Sequence, residues 1–462
     1  MEIVLKPFKL GNQYYVYDRN TNKILAVPKQ DYEVLCSNQS GTEKNAVLKK
    51  YQSKGFFLEN RLTKIKHPAN DFVTQFEEEN VTQLILQVTQ DCNLRCSYCY
   101  YVNESYRNRH HAKLNMSVDT ARKAMDYLLS HSVGKDNITL GFYGGEPLLR
   151  MDILKYCIEY MESQVQDRRI LFTLTTNGTL LTDDIIEYFI AHNVALFISL
   201  DGTKETHDRN RKFVNGHGSF DIVMWNVAHI KERYPEYFKT IYFNTVISPE
   251  MDMKCVRDYY SVDEVLATAN FTSSTIQEFY TDDPPQYDDR LYIDSQYGEF
   301  KALLICAGRL SAKDMPFIYQ GDISDIRKLQ ENLHTDFLLP SAYHHGGPCI
   351  AGSRRLFVDV AGNFYPCERV SESSETMKIG SLEEGLNLEK VLNLINVGKI
   401  TENECKRCWA LVHCRICAAW ADNLTGLDKS KKLQACPLYK SSVLHRFKNV
   451  CALSQFTHHK IK

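Results

Sequence analysis

The sequence predicts an α/β protein centred on a partial, TIM-like (β/α)6 barrel, with a small N-terminal unit before it and a cysteine-rich region after it. Three observations carry that expectation. Between residues 82 and 305, apolar runs of strand length alternate with helical patterns, and strands separated by helices imply parallel βαβ units. Ahead of them, two Tyr/Val/Ile-rich runs flank a polar turn. Ten of the fifteen cysteines fall into two groups, three at 92–99 and seven from Cys349 to Cys436.

Residues 1–75 form the first expected unit. Tyr14-Tyr15-Val16-Tyr17 and Lys23-Ile24-Leu25-Ala26-Val27 flank Asp18-Arg19-Asn20-Thr21-Asn22, which is a hairpin signal. Helical stretches at Gln30–Cys36 and Lys44–Ser53 follow, then a strand-like run at Gly55–Leu58. In the barrel, residues 82–305, strands are expected at Leu84–Val88, Ile138–Phe142, Ile170–Leu174, Ala195–Leu200 and Ile241–Ile247, with a weaker one at Ala269–Thr272. Thr182 can cap a helix whose Ile185, Ile186, Phe189 and Ile190 make one apolar stripe, with Asp183 and Asp184 suited to its first turn. Six units leave the barrel open, and reactive groups on such scaffolds sit at the carboxyl ends of strands. Residues 275–345 read as irregular, broken by Asp282-Asp283-Pro284-Pro285, so 306–345 is a bridging region. The cysteine-rich region spans 346–440, and 441–462 reads as a basic helical tail without evident chemistry.

Bulk composition narrows the function classes. A length of 462 residues suggests two to four domains. Hydrophobic and charged contents of 44% and 24% are ordinary for a globular protein. A net charge of −2 and the lack of a Lys/Arg block give no support to nucleic acid or an anionic membrane as partner. No apolar run reaches membrane-spanning length, and Met1-Glu2-Ile3-Val4-Leu5-Lys6-Pro7 has no signal-peptide pattern, so a cytoplasmic location is expected. There, thiols stay reduced and disulfides are not expected. Cys36, Cys157, Cys255, Cys306 and Cys451 are scattered and read as small hydrophobes.

The chemistry is concentrated at strand ends. Directly after the first barrel strand comes Asp91-Cys92-Asn93-Leu94-Arg95-Cys96-Ser97-Tyr98-Cys99-Tyr100, with spacing C-x3-C-x2-C. Iron–sulfur clusters are usually held by four thiolates, and a tight loop with three leaves one iron open to a small molecule. Gly144-Gly145-Glu146-Pro147 follows the second strand; glycines there let the backbone approach a ligand closely. Thr175-Thr176-Asn177-Gly178 ends the third strand, Ser199-Leu200-Asp201-Gly202 the fourth, and Val246 lies late in the fifth.

These motifs, in this order, resemble the radical S-adenosylmethionine (SAM) enzymes. The resemblance implies that Cys92, Cys96 and Cys99 hold a [4Fe–4S] cluster whose open iron chelates the SAM amino and carboxylate groups. It further implies that Gly144, Gly145 and Glu146 hold the SAM amino group. Asn177, Ser199 and Asp201 would line the pocket near its methionine and ribose, and Tyr98 and Val246 would contact adenine. The segment with His207, Asp208, Arg209 and Arg211 also resembles the family, and Arg211 is a candidate for the SAM carboxylate.

The second cysteine group reads Cys349, then Gly362 and Cys367, then Cys405-x2-Cys408-x5-Cys414-x2-Cys417, then Cys436. C-x2-C knuckles also bind zinc, so a pair of zinc ribbons stays open on spacing alone. The pattern resembles the SPASM extension of peptide-modifying radical SAM enzymes, except that Arg415 and Ile416 give a final x2 spacing where the family has x3. That likeness implies two auxiliary clusters, also of the [4Fe–4S] type, for three clusters in all. Cys405, Cys408, Cys414 and Cys436 would hold one. Cys349, Cys367 and Cys417 would hold the other, its fourth iron either open or taken by an upstream residue such as Cys306. His344, His345 and His413 are nearby nitrogen ligand candidates. The N-terminal unit resembles the winged-helix peptide-recognition domain fused to such enzymes, in which a leader peptide adds to a sheet edge.

The implied activity is maturation of a ribosomally made, cysteine-containing precursor peptide, most simply by a thioether link from cysteine sulfur to carbon, with flavodoxin or ferredoxin as electron donor. Carbon–carbon crosslinking and formylglycine formation in a sulfatase are the alternatives within radical chemistry. A non-catalytic electron-transfer or peptide-binding scaffold is the alternative outside it.

Overall fold

The protein is described by a computed structural model covering residues 2–37, 41–311, 320–347 and 349–456. Its strands are β1 (Leu5–Leu10), β2 (Gln13–Asp18), β3 (Lys23–Ala26), β4 (Lys64–Ile65), β5 (Gln83–Thr89), β6 (Asn137–Gly144), β7 (Arg169–Thr176), β8 (Val194–Ser199), β9 (Tyr242–Ile247), β10 (Asn270–Thr275), β11 (Ala342–Tyr343), β12 (Leu356–Val358), β13 (Asn363–Tyr365), β14 (Gly380–Ser381) and β15 (Gly385–Leu386). The six strands β5 to β10 are parallel and neighbour one another in sequence order. All six coincide with the apolar runs expected for the barrel. Their carboxyl ends therefore share one rim.

The sheet does not stop at β5. β12 pairs with β5 in parallel, and β13, β14 and β15 continue antiparallel, giving ten strands in one sheet. The cysteine-rich region thus shares the barrel's sheet, and Phe357, Phe364 and Ile379 join the core that holds Leu84, Phe142, Leu174, Ile198 and Phe243. β5 is buried along nearly its whole length because neighbours lie on both sides. β10 ends the row, and its Thr272–Thr275 are exposed.

A second core lies between the N-terminal sheet and the last helix. β1, β2 and β3 form an antiparallel sheet. Phe8, Tyr15 and Tyr17 pack with Val443, Phe447 and Val450 of the helix Lys429–Phe456, and the Tyr17 and Phe447 rings are 4.5 Å apart. The expected tail is therefore the end of a longer structural helix; residues 457–462 lie outside the described residues. β4 pairs with β11, a further tie between the N-terminal 75 residues and the C-terminal half. Among the described residues no helix is long and apolar enough to cross a membrane.

Three local expectations change. Gly55–Leu58 is not a strand: Phe57 has φ 55°, and its N–H donates to the Asp18 carboxylate at 3.0 Å. The region read as irregular contains two helices, Asp289–Cys306 and Gln320–His334. Thr182 occupies the N-cap of the helix Asp183–Ala191, but its side chain makes no capping bond, and Ile190 of the expected stripe is exposed. The polar turn Asp18–Asn22, a hairpin signal, joins the paired strands β2 and β3 and is buried throughout.

Candidate functional site

The first cysteine loop grows from the end of β5 and is fastened to the end of β6. The Gly145 N–H donates to the Thr89 carbonyl at 2.9 Å, and the Glu146 N–H to the Asp91 carbonyl at 2.8 Å. A Cβ on Gly144, at φ 137°, would come within 2.1 Å of the Thr89 oxygen, and one on Gly145 within 1.9 Å of the Asp91 oxygen. The two glycines therefore let the backbone leading into Cys92 press against β6, a closer constraint than the ligand approach expected from sequence. The loop's other side is held by Arg95 N–H donating to the Lys212 carbonyl at 2.7 Å and Ser97 N–H to the Asn210 carbonyl at 3.1 Å.

Cys92, Cys96 and Cys99 line a cavity of about 440 Å³ at this rim. Burial pushes the Cys92 and Cys96 thiols up to about 12 and raises Cys99. Three buried sulfurs facing one cavity make poor thiolates alone and good ligands for a cationic iron cluster, because metal binding and thiol deprotonation are coupled. The donor set fits such a cluster. Among the described residues no three His, Cys, Asp or Glu side chains group as ligands for a single ion, whereas a cluster receives its thiolates on separate irons.

Tyr98, Gly144, Gly145, Glu146, Asn177, Ser199, Arg211 and Val246 line the same cavity. Glu146 is buried, and burial raises its carboxyl to about 7. It accepts hydrogen bonds from Asn177 N at 2.7 Å, Thr176 Oγ1 at 2.7 Å and Leu148 N at 3.1 Å, so it is a fixed acceptor for a cationic group in the cavity. Asp201 is different: it lies outside the lining, fully buried behind it. Its carboxylate accepts from Tyr98 Oη at 2.5 Å, Arg211 Nε at 2.7 Å and Val246 N at 2.9 Å. It therefore orients three cavity residues rather than facing the cavity. The Arg211 guanidinium, paired to Asp201, stands 5.4 Å from the Tyr98 ring centroid.

Sequence reasoning missed much of the opposite wall. Asn244, Thr272–Gln277 and the pair Tyr100 and Tyr143 line the cavity, as do Glu368 and Arg369 next to Cys367. The Tyr100 hydroxyl donates to the Glu368 carbonyl at 3.1 Å and meets Tyr143 Oη at 3.3 Å, linking the first cysteine loop to the segment after Cys367. Strand-end position could have flagged Asn244 and the β10 residues; nothing local marks Glu368 or Arg369.

Within the second cysteine group, neighbouring thiols influence one another. Cys408 and Cys414 each interact electrostatically with Cys405, and Cys436 with Cys405 and Cys408. Cys417 interacts with Cys349 and Cys367. Across the short Cys414–Cys417 spacing, Gly347 fits only because it lacks a Cβ, which would meet the Ile416 oxygen at 2.0 Å. Cys306 packs with the N-terminal core, whereas Cys367 and Cys417 lie against the barrel core. His344 bonds through both ring nitrogens, to the His345 carbonyl and the Gly398 N–H, each at 2.7 Å. His413 Nε2 meets Asn22 Oδ1 at 2.6 Å. His345 alone of the three keeps a buried nitrogen, Nε2, without a partner.

The rim of this open parallel barrel gathers three thiols beside a strand-end carboxylate, and residues 86–261 match the radical SAM superfamily model, so that segment is a radical SAM domain. This superfamily uses SAM and a [4Fe–4S] cluster. Within it, the chain is related to maturating enzymes. It is 31% identical over 165 residues to a cysteine-type anaerobic sulfatase-maturating enzyme of Clostridium novyi, covering 34% of this chain and 42% of the relative. It is 22% identical over 437 residues to the radical SAM cyclopropyl synthase TigE of Paramaledivibacter caminithermalis, covering 88% of this chain and 84% of the relative. The first curated relatives are thus matched over less than half their length. A solved structure of native anSMEcpe with bound AdoMet and Cp18Cys peptide has the same fold, with a TM-score of 0.57 at 18% identity over 82% of this chain and 99% of that one.

Proposed function

We propose that the protein is a radical SAM maturase acting on a ribosomally made precursor peptide, and that it forms an intrapeptide thioether. The observation that carries this reading is one cavity lined by Cys92, Cys96 and Cys99, by Glu146 and by Arg369 beside Cys367. Site chemistry and substrate access then meet at one rim. When bound, SAM and the cluster at the first loop would supply a 5′-deoxyadenosyl radical that removes a hydrogen atom from an unactivated carbon. The chain's own residues bind and orient. With SAM bound, Glu146 would accept its ammonium, Asp201 would hold Tyr98 and Arg211 toward the cavity, and Val246 would flank the adenine. Cys306, the upstream candidate for a fourth ligand of the Cys349, Cys367 and Cys417 set, packs with the N-terminal core, and an open iron at that set would hold a substrate cysteine sulfur near the carbon radical. Holding sulfur and carbon in contact would turn their meeting into an intramolecular step. Two auxiliary clusters, one at this set and one at Cys405, Cys408, Cys414 and Cys436, complete the proposed cofactor set. The β1–β3 sheet is the proposed seat for a leader peptide, and flavodoxin or ferredoxin the proposed electron donor.

A second reading, carbon–carbon ring closure, is favoured by the near full-length likeness to the cyclopropyl synthase. Co-expression with a precursor peptide separates the two. A thioether removes two hydrogens and one alkylatable thiol, whereas a carbon–carbon link removes two hydrogens and leaves every thiol reactive. The substitution C96A should abolish 5′-deoxyadenosine formation by the reduced protein. Persistent cleavage of SAM in C96A would refute the assignment of the first loop.

A further inference from the structure

A fully buried lysine stands beside one auxiliary sulfur. Lys432, in the first turn of the helix Lys429–Phe456, is 1% exposed. Its ammonium donates to Thr401 Oγ1 at 2.7 Å and lies 3.7 Å from Cys405 Sγ, within donor reach of sulfur. The Thr401 hydroxyl is itself 3.2 Å from the same sulfur. With its oxygen taken by the ammonium, the Thr401 hydrogen has two acceptors in reach, the Gly398 carbonyl at 3.4 Å and the Cys405 sulfur. The ammonium is the group that aims a full positive charge at Cys405.

No carboxylate among the described residues forms an ion pair with Lys432. Glu404 feels its field but is bonded to Lys429 at 2.6 Å. His344 and His345 also face it, and burial keeps both neutral. An ammonium taken out of water is costly unless an opposite charge accompanies it. Its ammonium reaches the Cys405 sulfur, and its own carbonyl lies 3.6 Å from Cys436 Sγ, so Lys432 touches two of the four sulfurs. Lys440 acts on Cys408 and Cys436 as well, but from an exposed position.

We propose that Lys432 is the built-in counter-ion of the iron–sulfur cluster at Cys405, Cys408, Cys414 and Cys436, and that it raises the reduction potential of that cluster. This rests on the reading above that these four thiolates hold such a cluster. A four-thiolate cluster is anionic, and taking up one electron makes it more so. Net charge and hydrogen bonds to sulfur set its potential, so a buried cation and a hydroxyl at one sulfur favour the reduced form. The electron is the one released when the substrate's carbon radical is oxidised as its new bond closes. No bond to Lys432 forms or breaks, and its protons stay on nitrogen. Lys432 is a positioning residue that makes this site the electron acceptor.

The test is an EPR-monitored redox titration of the full-length protein loaded with iron and sulfide, carrying C92A/C96A/C99A so that the first loop gives no signal. K432M and K432Q should each lower the potential of one auxiliary signal, by about tenfold in the reduction constant, or 59 mV for one electron. Their iron content should match the parent. An unchanged potential in either variant that folds overturns the proposal, because a purely structural lysine would not move it. C408A serves as the separate check on the underlying reading. If it removes no signal, the four cysteines hold no cluster, and that reading fails independently of the lysine.

Discussion

At the scale of single residues, the most consequential correction concerns Asp201. A carboxylate at the end of a barrel strand reads as a pocket group, yet here it is the anchor behind the pocket, binding Arg211, Tyr98 and the Val246 backbone together. Removing one member of a buried ion pair strands the other, at a cost of about 3–5 kcal/mol. D201N should therefore lower stability by about that amount, measured by urea unfolding, and weaken SAM binding as a consequence. His207 sits in the same network with a definite sign. Its Nδ1 accepts the Asp201 N–H at 3.3 Å, and its Nε2 donates to Ser219 Oγ at 3.0 Å. Burial first, and then the Arg211 charge, lower its pKa from 6.5 to about 3. The native state refuses a proton that the unfolded chain accepts, so this contribution is present above pH 6.5 and is lost as pH falls toward 3. The slope is at most about 1.4 kcal/mol per pH unit. Wild type should lose about 2 kcal/mol more than H207Q between pH 6.5 and 5; parallel losses would show that His207 titrates normally.

At the scale of elements, the barrel strands were legible because Val, Ile, Leu and Phe runs of strand length recur between helices, and the chemistry sits where those runs end. The helix Asp289–Cys306 was not legible. Its Tyr292, Ile293, Tyr297 and Phe300 are about half exposed or more, so its apolar residues do not mark a single buried face. The burial of the Asp18–Asn22 turn was not legible for another reason. Polar residues suggest solvent, but these find partners in the protein: Arg19 Nη1 donates to the Lys406 carbonyl at 2.7 Å and the Cys408 carbonyl at 3.2 Å, while Asn20 donates to the Leu58 and Glu59 carbonyls, leaving Arg19 Nε and Asn20 Oδ1 unpaired. Those bonds brace the loop carrying Cys405 and Cys408 from outside. Lys432 was invisible on the same grounds, since Lys429-Ser430-Lys431-Lys432 reads as a solvated run. R19M, which keeps length but removes the donors, should cost roughly 2–4 kcal/mol. It should also reduce the iron retained per chain after reconstitution, and iron and melting assays would detect both effects. Full iron retention in R19M would mean that the turn merely rests on the loop.

For the whole molecule, the separation into a recognition unit, a barrel and a cluster region is a division of sequence that the packing cuts across. β12 extends the barrel sheet, β4 pairs with β11, and the N-terminal sheet shares its core with the last helix. The N-terminal 75 residues are therefore part of the wall around the Cys405–Cys408 loop as well as the proposed leader seat. Sequence alone suggests that deleting them would leave SAM cleavage intact and remove only leader-dependent modification. Packing predicts a different outcome. The first cysteine loop draws its bracing from β6 and from Asn210 and Lys212, so uncoupled formation of 5′-deoxyadenosine should survive the deletion. The auxiliary site, stripped of Arg19 and Asn60, whose side chain also donates to the Lys406 carbonyl at 3.0 Å, should lose iron. Peptide modification would then fail for a reason unrelated to leader capture. Iron content and deoxyadenosine yield measured together on the truncated chain test this coupling; a full iron complement would show the two units to be independent. Leader binding is better sought in the intact protein, by slowed hydrogen exchange in β1–β3 when precursor peptide is added, because that readout leaves the cluster wall in place.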